Sequence, residues 1–314
     1  MKTVLVTGGS GLVGQGIKSI SLHFQNQLEF IFISSKQFDL TKSEQVEKMF
    51  ETYKPNFIIH LAACVGGLFK NMNNKVEMLE KNLLLNYNVI HYSHVYKVEK
   101  LIACLSTCIF PNNILSYPVT EEMLHDGPPH SSNDAYAYAK RMIEIHCKAY
   151  RENFGDQFIC VSPTNIYGPH DNFNLEDGHV LPVLIHRCFL AKQSKQKFII
   201  RGTGAPLRQF IFSEDVGLAI VKILLTENVP DNIILSVPES QEISIAEVGN
   251  LIAKNFDYQD HIEFDNSYSD GQFKKTVSNK RLLTLFPDFK FVSVEDGIQR
   301  TIQWFLENKN IARI

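Results

Sequence analysis

The chain has 314 residues, enough to bury a large core as one α/β unit or as two smaller domains. With 31 Lys+Arg against 34 Asp+Glu, a formal net charge of −3 and no block of one sign, it has no basic footprint for nucleic acid and no membrane arm, so a small-molecule partner is expected. One Lys followed by few apolar residues is not a secretory signal, and no apolar run approaches the ~20 residues that span a bilayer, so the sequence reads as a soluble, cytoplasmic protein.

The first apolar run, residues 4–6, leads into Gly8-Gly9-Ser10-Gly11-Leu12-Val13-Gly14 and then Ile17 and Ile20, which predicts strand, tight turn and helix. Gly9, Gly11 and Gly14 satisfy G-x-G-x-x-G, and Gly8, Gly11 and Gly14 satisfy the wider G-x-x-G-x-x-G spacing. A dinucleotide pyrophosphate is held at such a helix N-terminus by free N–H groups and the helix dipole, and side chains on the turn would block its approach. The second predicted strand, 30–33, ends in Ser34-Ser35-Lys36. No carboxylate stands there to meet an adenosine 2′-hydroxyl, whereas Ser and Lys accommodate a 2′-phosphate, so the expected cofactor is NADP(H).

Further apolar runs at 57–61, 101–105 and 158–161 alternate with helical patterns such as 44–50 and 72–98. That alternation predicts an α/β fold, a Rossmann-type doubly wound parallel sheet, and the near-continuous apolar strands imply that both faces are covered. The long pattern 72–98 sets Val76, Leu79, Leu83, Tyr87 and Ile90 three and four apart, a stripe read as packing partly on the sheet and partly in a homodimer shared with the helix after Tyr136. His91 and His94 lack a third ligand, and Cys64, Cys104, Cys108, Cys147, Cys160 and Cys188 show no C-x-x-C spacing, so neither a metal nor a disulfide is expected.

The strand 101–105 ends in Ser106-Thr107-Cys108, at the strand end where ligands bind in such sheets, so Ser106 or Thr107 is a candidate donor to a carbonyl oxygen. Tyr136 and Lys140 are four apart and share a helix face, with Tyr138 on the other side. An ammonium beside a phenol favours phenolate, which is expected to draw a tyrosine pKa of about 10 toward the working range. Past Pro163, the polar stretch from Gly168-Pro169 to Gly178 reads as a functional loop opening a smaller C-terminal α/β substrate lobe. The segment 208–215 and the apolar pattern 216–225 then read as a strand and helix returning to the first domain. The expected domains are interleaved: 1–165 with about 208–237 for the cofactor, and about 166–207 with 238–314 for the substrate.

Thr7-Gly8-Gly9-x-Gly11-x-x-Gly14, His60-Leu61-Ala62-Ala63, Ser106 and Tyr136-x-x-x-Lys140 together resemble the extended short-chain dehydrogenase/reductase family, whose members act on nucleotide sugars. Five more segments are similar to one branch of that family, the epimerase-reductases that make GDP-L-fucose. They are Val65-Gly66-Gly67, Leu105-Ser106-Thr107-Cys108-Ile109-Phe110-Pro111, Gly168-Pro169-His170-Asp171-Asn172-Phe173, Asp177-Gly178-His179-Val180-Leu181-Pro182 and Asp270-Gly271-Gln272-Phe273-Lys274-Lys275. The resemblance implies that GDP-4-keto-6-deoxy-D-mannose is epimerised at C3 and C5 and then reduced at C4 by NADPH. A 4-keto group acidifies both neighbouring carbons, so one ketone permits both inversions, each needing a proton removed from one face and another delivered to the opposite face.

The resemblance assigns Cys108 and His179 as the base and acid of epimerisation, and Tyr136, Ser106 and Lys140 to the reduction. It adds Asp39 and Leu40 near the adenine and Pro163, Thr164, Asn165 and Ile166 near the nicotinamide, with Leu61, Ala62, Ala63, Leu105 and His179 as further cofactor contacts. For the GDP sugar it implies Arg187 and Arg208 on the diphosphate, with Asn165, Val180, Leu184, Asp270 and Lys275. Arg201 stands where some members carry Trp, which leaves its contact open. A 4,6-dehydratase would need an Asp-Glu pair where Cys108 and Ile109 follow Thr107. The alternatives are another nucleotide-sugar 4-epimerase or reductase of the family, and a non-catalytic NADPH-binding regulator, against which intact Ser106, Tyr136 and Lys140 argue.

Overall fold

In the computed structural model the apolar runs become strands β1 (Lys2–Thr7), β2 (Leu28–Ile33), β3 (Phe57–His60), β4 (Lys100–Cys104) and β5 (Phe158–Pro163). The structure describes residues 1–268, 270 and 272–314, with the backbone alone for Leu68, Phe69 and Lys70; Gly271 of the C-terminal motif lies outside the described residues. Five short strands follow, β6 (Asn165–Tyr167), β7 (Phe198–Arg201), β8 (Leu207–Arg208), β9 (Phe210–Phe212) and β10 (Asn232–Leu235), and then β11 (Ile243–Ser244) and β12 (Ile262–Asp265).

The main sheet has the order β10-β5-β4-β3-β1-β2, with every pairing parallel. Alternate residues of each strand point to opposite faces. Leu5, Ile58, Leu101 and Ala103 pack with Val46, Met49, Val89, Ile90 and Ile143 on one side. Val4, Val6, Ile59 and Ile102 pack with Ile17, Val216 and Ile220 on the other. The helices that supply these residues are α1 (Leu12–Ile20), α2 (Ser43–Tyr53), α4 (Lys75–Val95), α5 (Asp134–Phe154) and α7 (Ser213–Leu225), with the short α3 (Leu68–Asn73) before α4. From β1 the chain moves outward to β2 and then back across to β3. The crevice at the C-terminal ends of β1 and β3 is therefore the topological switch point where such sheets bind ligands.

A third apolar cluster lies apart from the sheet and gathers Tyr167, Phe173, Leu184, Phe198, Ile200, Val248, Ile298 and Phe305. It joins α6 (Val180–Ser194), α8 (Ile245–Asn255) and α10 (Val294–Glu307) to the parallel pair β7–β12, while α9 (Lys280–Leu285) returns Leu282 to the main sheet.

The expected helix over 72–98 is corrected in two respects. It is interrupted at Asn74, which sits outside helical geometry before α4, and it ends at Val95; asparagine favours such helix boundaries over helix interiors. The stripe divides: Ile90 is buried, while Val76 and Tyr87 are 66% and 53% exposed, and polar residues share the inner face. Asn82, Asn86 and Asn88 are buried and bond to Cys64, to His60 and to the Leu40 carbonyl. Because α4 uses polar side chains to tie down loops, apolar spacing misreads its inner face.

Candidate active site

At the end of β1 the chain turns through Gly8 in the left-handed region, φ +70°, where a Cβ would lie 2.8 Å from Ala62 N. A Cβ on Gly14 would lie 2.7 Å from the Gly8 oxygen and the Gly9 backbone. Glycine alone lets the turn close this tightly. The turn is locked by Gly9 N–H to Ile33 O and Gly11 N–H to Gly8 O, each 2.9 Å, and by Gln15 Nε2 donating to Gly9 O at 2.9 Å. Helix α1 starts at Gly11 with no side-chain cap and no acidic residue in its first turn, so its leading N–H groups are offered to an anion. A bare, positive, side-chain-free cradle fits a dinucleotide pyrophosphate. Ser10 is exposed at its rim, with Leu12 and Val13 half-buried.

Beyond β2, Ser34 is held by Gln37, whose Oε1 accepts from its N–H at 2.9 Å, and Ser35 and Lys36 are exposed. Asp39 turns its carboxylate onto Thr41, accepting from Oγ1 at 2.7 Å and N–H at 3.0 Å, which holds its pKa below the usual carboxylate range. Leu40 is buried beside it. Across the crevice, Leu61, Ala62 and Ala63 leave β3 half-buried. Their path depends on a buried chain absent from the sequence reading: His60 Nδ1 meets Thr7 Oγ1 at 2.7 Å and its Nε2 meets Asn86 Oδ1 at 3.0 Å. Burial, then the charge of Lys140, lowers the pKa of His60 to about 3, so the ring is neutral and structural. The sequence traces of this network are Thr7 and His60, which head two of the motifs above, while Asn86 left none.

The chemistry converges where β4 ends. Ser106 caps a single 3₁₀ turn, Thr107–Ile109, and its Oγ accepts from Cys108 N–H at 3.5 Å. Leu105 is buried just before it, with its N–H on Val161 O at 2.7 Å. From α5, Lys140 is 2% exposed, donates to Cys104 O at 2.8 Å and lies 6.0 Å from the Tyr136 ring centre. Tyr138 is exposed, as the helix spacing predicts, and lies against Arg141. Asn165 Nδ2 donates to Gln209 O at 3.0 Å, and Thr164 N–H donates to Leu235 O at 3.0 Å, so Pro163 to Ile166 carry the chain from β5 toward β9 and β10.

The expected pull of Lys140 on Tyr136 is not what governs its proton. Burial, followed by the neighbouring Cys108, Cys104 and Cys64, pushes the Tyr136 phenol well above its ordinary value, and burial pushes Lys140 down. Burial opposes the charged form of each group, so Tyr136 keeps a proton that it can deliver only to a more strongly basic oxygen, such as the alkoxide formed when a ketone takes up a hydride. Burial likewise raises Cys108, opposed by the Ser106 hydrogen bond and the charges of Lys275 and Lys140. His179 is the N-cap residue of α6 and is exposed, and desolvation lowers its pKa.

Val180, Leu184 and Arg187 on α6 line a cavity of about 260 Å³ together with Leu175, Ile200, Arg201 and Ile245. Burial, then the charge of Arg201, lowers the pKa of Arg187, and Arg201 stacks on Tyr268 at 4.4 Å. Two guanidinium groups at one apolar cavity suit an anion that carries a flat base. Arg208 is placed elsewhere, half-buried with Nη1 on Leu207 O at 2.6 Å, near Lys275. Asp270 spends its carboxylate on Thr203 N–H and Oγ1, fastening its segment to the Gly202-Thr203-Gly204 turn. A separate cavity of about 290 Å³, between the end of α5 and the start of β5, lies at the N-terminal ends of the strands.

The model of the NAD dependent epimerase/dehydratase family matches residues 4–237. A GDP-L-fucose synthase of Dictyostelium discoideum is 48% identical over 99% of this chain and 98% of its own. A probable GDP-L-fucose synthase of Drosophila melanogaster is 43% identical over 100% of both. The crystal structure of a GDP-L-fucose synthetase from Naegleria fowleri bound to NADP has a TM-score of 0.95 at 45% identity, covering 100% of this chain and 95% of that one.

Proposed function

Because the chain belongs to the NAD dependent epimerase/dehydratase family and matches GDP-L-fucose synthases along its whole length, we propose that it is an NADPH-dependent epimerase-reductase that converts GDP-4-keto-6-deoxy-D-mannose to GDP-L-fucose. The observation that supports this reading is that Ser106 and Cys108, joined by the Cys108 N–H to Ser106 Oγ bond, follow the end of β4 to which Lys140 is bonded, with the Tyr136 ring centre 6.0 Å from the Lys140 ammonium, a grouping that serves both proton removal beside a ketone and proton delivery to its oxygen. Bound NADPH supplies the hydride for C4. Cys108 takes the C3 and C5 protons from one face, with Ser106, Lys275 and Lys140 favouring its thiolate against the burial that favours the thiol. At each carbon His179 delivers one proton to the opposite face, and between the two inversions the thiol releases its proton to solvent and the imidazole regains one. After inversion, Tyr136 gives its retained proton to the C4 oxygen while Ser106 steadies it, and Lys140 is fixed on Cys104 O beside both.

In this reading residues 1–165 with about 208–237 form the cofactor domain, and about 166–207 with 238–314 form the substrate lobe; Arg187, Arg201 and Lys275 of the lobe and Arg208 at the boundary meet the GDP moiety. The protein acts in the cytoplasm as a homodimer. The support for the dimer is the exposed apolar surface on α4 and α5, which includes Leu84, Tyr87, Val95, Met142, Ile145 and Phe154. Among the described residues no helix is long and apolar enough to cross a membrane.

The test is turnover in D₂O with NADPH and GDP-4-keto-6-deoxy-D-mannose. NADPH oxidation with deuterium at C3 and C5 of the product is expected. Oxidation without deuterium at either carbon would leave a simple reductase instead.

A further inference from the structure

The loop from β6 to α6 carries His179, and it is pinned by a residue far from it in sequence, Arg313. Arg313 Nη2 donates to His170 O at 2.7 Å. Its own carbonyl accepts Phe173 N–H at 2.7 Å, and it forms a parallel bridge with Asn172. His170 sits in the left-handed region, φ +67°, where a residue with a side chain is held only by its surroundings. Between these contacts the Asp171 carboxylate is 3% exposed: Oδ1 accepts Asn172 N–H at 2.7 Å, and Oδ2 has no partner among the described residues. Burial raises Asp171 to about 7, and Arg313 is the cation that opposes this.

From this anchor the loop is tightly coupled to His179. Asn172 Oδ1 accepts Asn174 N–H at 3.2 Å, and Asn174 Oδ1 accepts Glu176 and Asp177 N–H at 3.0 Å each. Gly178 N–H returns to Asn174 O at 2.9 Å, and a Cβ on Gly178 would lie 2.5 Å from Asn172 O. A displacement at Asn172 is therefore passed to the residue before His179. We infer that Arg313 is a positioning residue for His179, acting through residues 170–178 to hold the imidazole at the face of the sugar that receives the proton. This rests on the proposed function.

The test compares the full chain with Arg313→Ala and Arg313→Lys in three readouts: NADPH affinity by fluorescence, kcat and KM with solvent deuterium entry at C3 and C5, and the His179 ring signal in a histidine-labelled NMR spectrum. Arg313→Ala is expected to keep NADPH affinity within about two-fold, since the glycine turn is untouched. It should lower the exchange kcat about ten-fold with little change in KM, a loss of the kind misplacement of a catalytic group produces. The His179 signal should shift, and Arg313→Lys, which keeps a donor for His170 O, should recover part of the rate. Exchange within two-fold of the unaltered protein, or equal losses of exchange and NADPH affinity, would overturn the inference. If the unaltered protein shows no exchange the functional reading fails, and an unmoved His179 signal in Arg313→Ala separately refutes the mechanical link. If the alanine variant does not fold, Arg313→Lys decides by the same ring signal.

Discussion

Replacing Gly14 by alanine tests the phosphate cradle most directly. The added Cβ would lie 2.7 Å from Gly8 O, Gly9 C and Gly9 Cα, all backbone atoms of the turn itself. Ordinary carbon contact begins near 3.5 Å, so the turn must retreat by roughly 0.8 Å, at a stability cost of about 1–3 kcal/mol for overpacking. A turn displaced by that much misaligns at least one N–H aimed at the pyrophosphate. A hydrogen bond to a charged group is worth about 1.5–3 kcal/mol, so NADPH should bind roughly 10–150-fold more weakly. Two controls separate the mechanism from general damage. At Gly11 a Cβ meets only Gly8 O at 3.2 Å, so alanine there should have a smaller effect. At Gly155, φ +76° with nothing within 4 Å, alanine should cost about 1–2 kcal/mol of backbone strain and leave NADPH affinity unchanged. Fluorescence titration of NADPH and thermal melts read both quantities. Gly14→Ala with unaltered Kd and Tm would refute the cradle argument.

Three further outcomes follow from the same geometry. His60 has a pKa of about 3 in the fold against about 6.5 unfolded, so its contribution is complete above pH 6.5 and is lost as pH falls toward 3, at up to about 1.4 kcal/mol per unit. Denaturant titrations should show a loss of roughly 2 kcal/mol between pH 7 and 5 that His60→Asn flattens; the same slope in the variant would contradict it. Tyr136→Phe should abolish NADPH oxidation, by 10²-fold or more, while Tyr138→Phe, at the exposed face of α5, stays near the unaltered rate; steady-state kinetics with the reverse order would overturn the assignment. Cys108→Ser should bind NADPH normally yet admit no deuterium at C3 or C5, and continued exchange in mass spectra of the recovered sugar would remove the thiol from its role.

The glycine turn, the alternating strands and helices and the Tyr136–Lys140 pair were legible because each depends on local rules: which residues tolerate a tight turn, which repeat every two positions and which lie one helical turn apart. The inner face of α4 was not legible, because Asn82, Asn86 and Asn88 are buried for partners at Cys64, His60 and Leu40, 18, 26 and 48 residues away. That Thr203 donates to both oxygens of the Asp270 carboxylate, 67 residues away, was not legible either.

The sequence by itself determined the fold class, the glycine turn and the candidate reacting side chains, Cys108 and His179 only through the family resemblance, because backbone geometry belongs to the residues. Only the tertiary structure decided their protonation and placement. Burial, rather than the adjacent Lys140, decides the direction in which the Tyr136 phenol shifts, which is upward. Arg313 reaches the loop that carries His179 through hydrogen bonds to His170 and Phe173 that no spacing encodes. Desolvation and long-range contact depend on which parts of the chain come together, and that is settled by packing rather than by the order of residues.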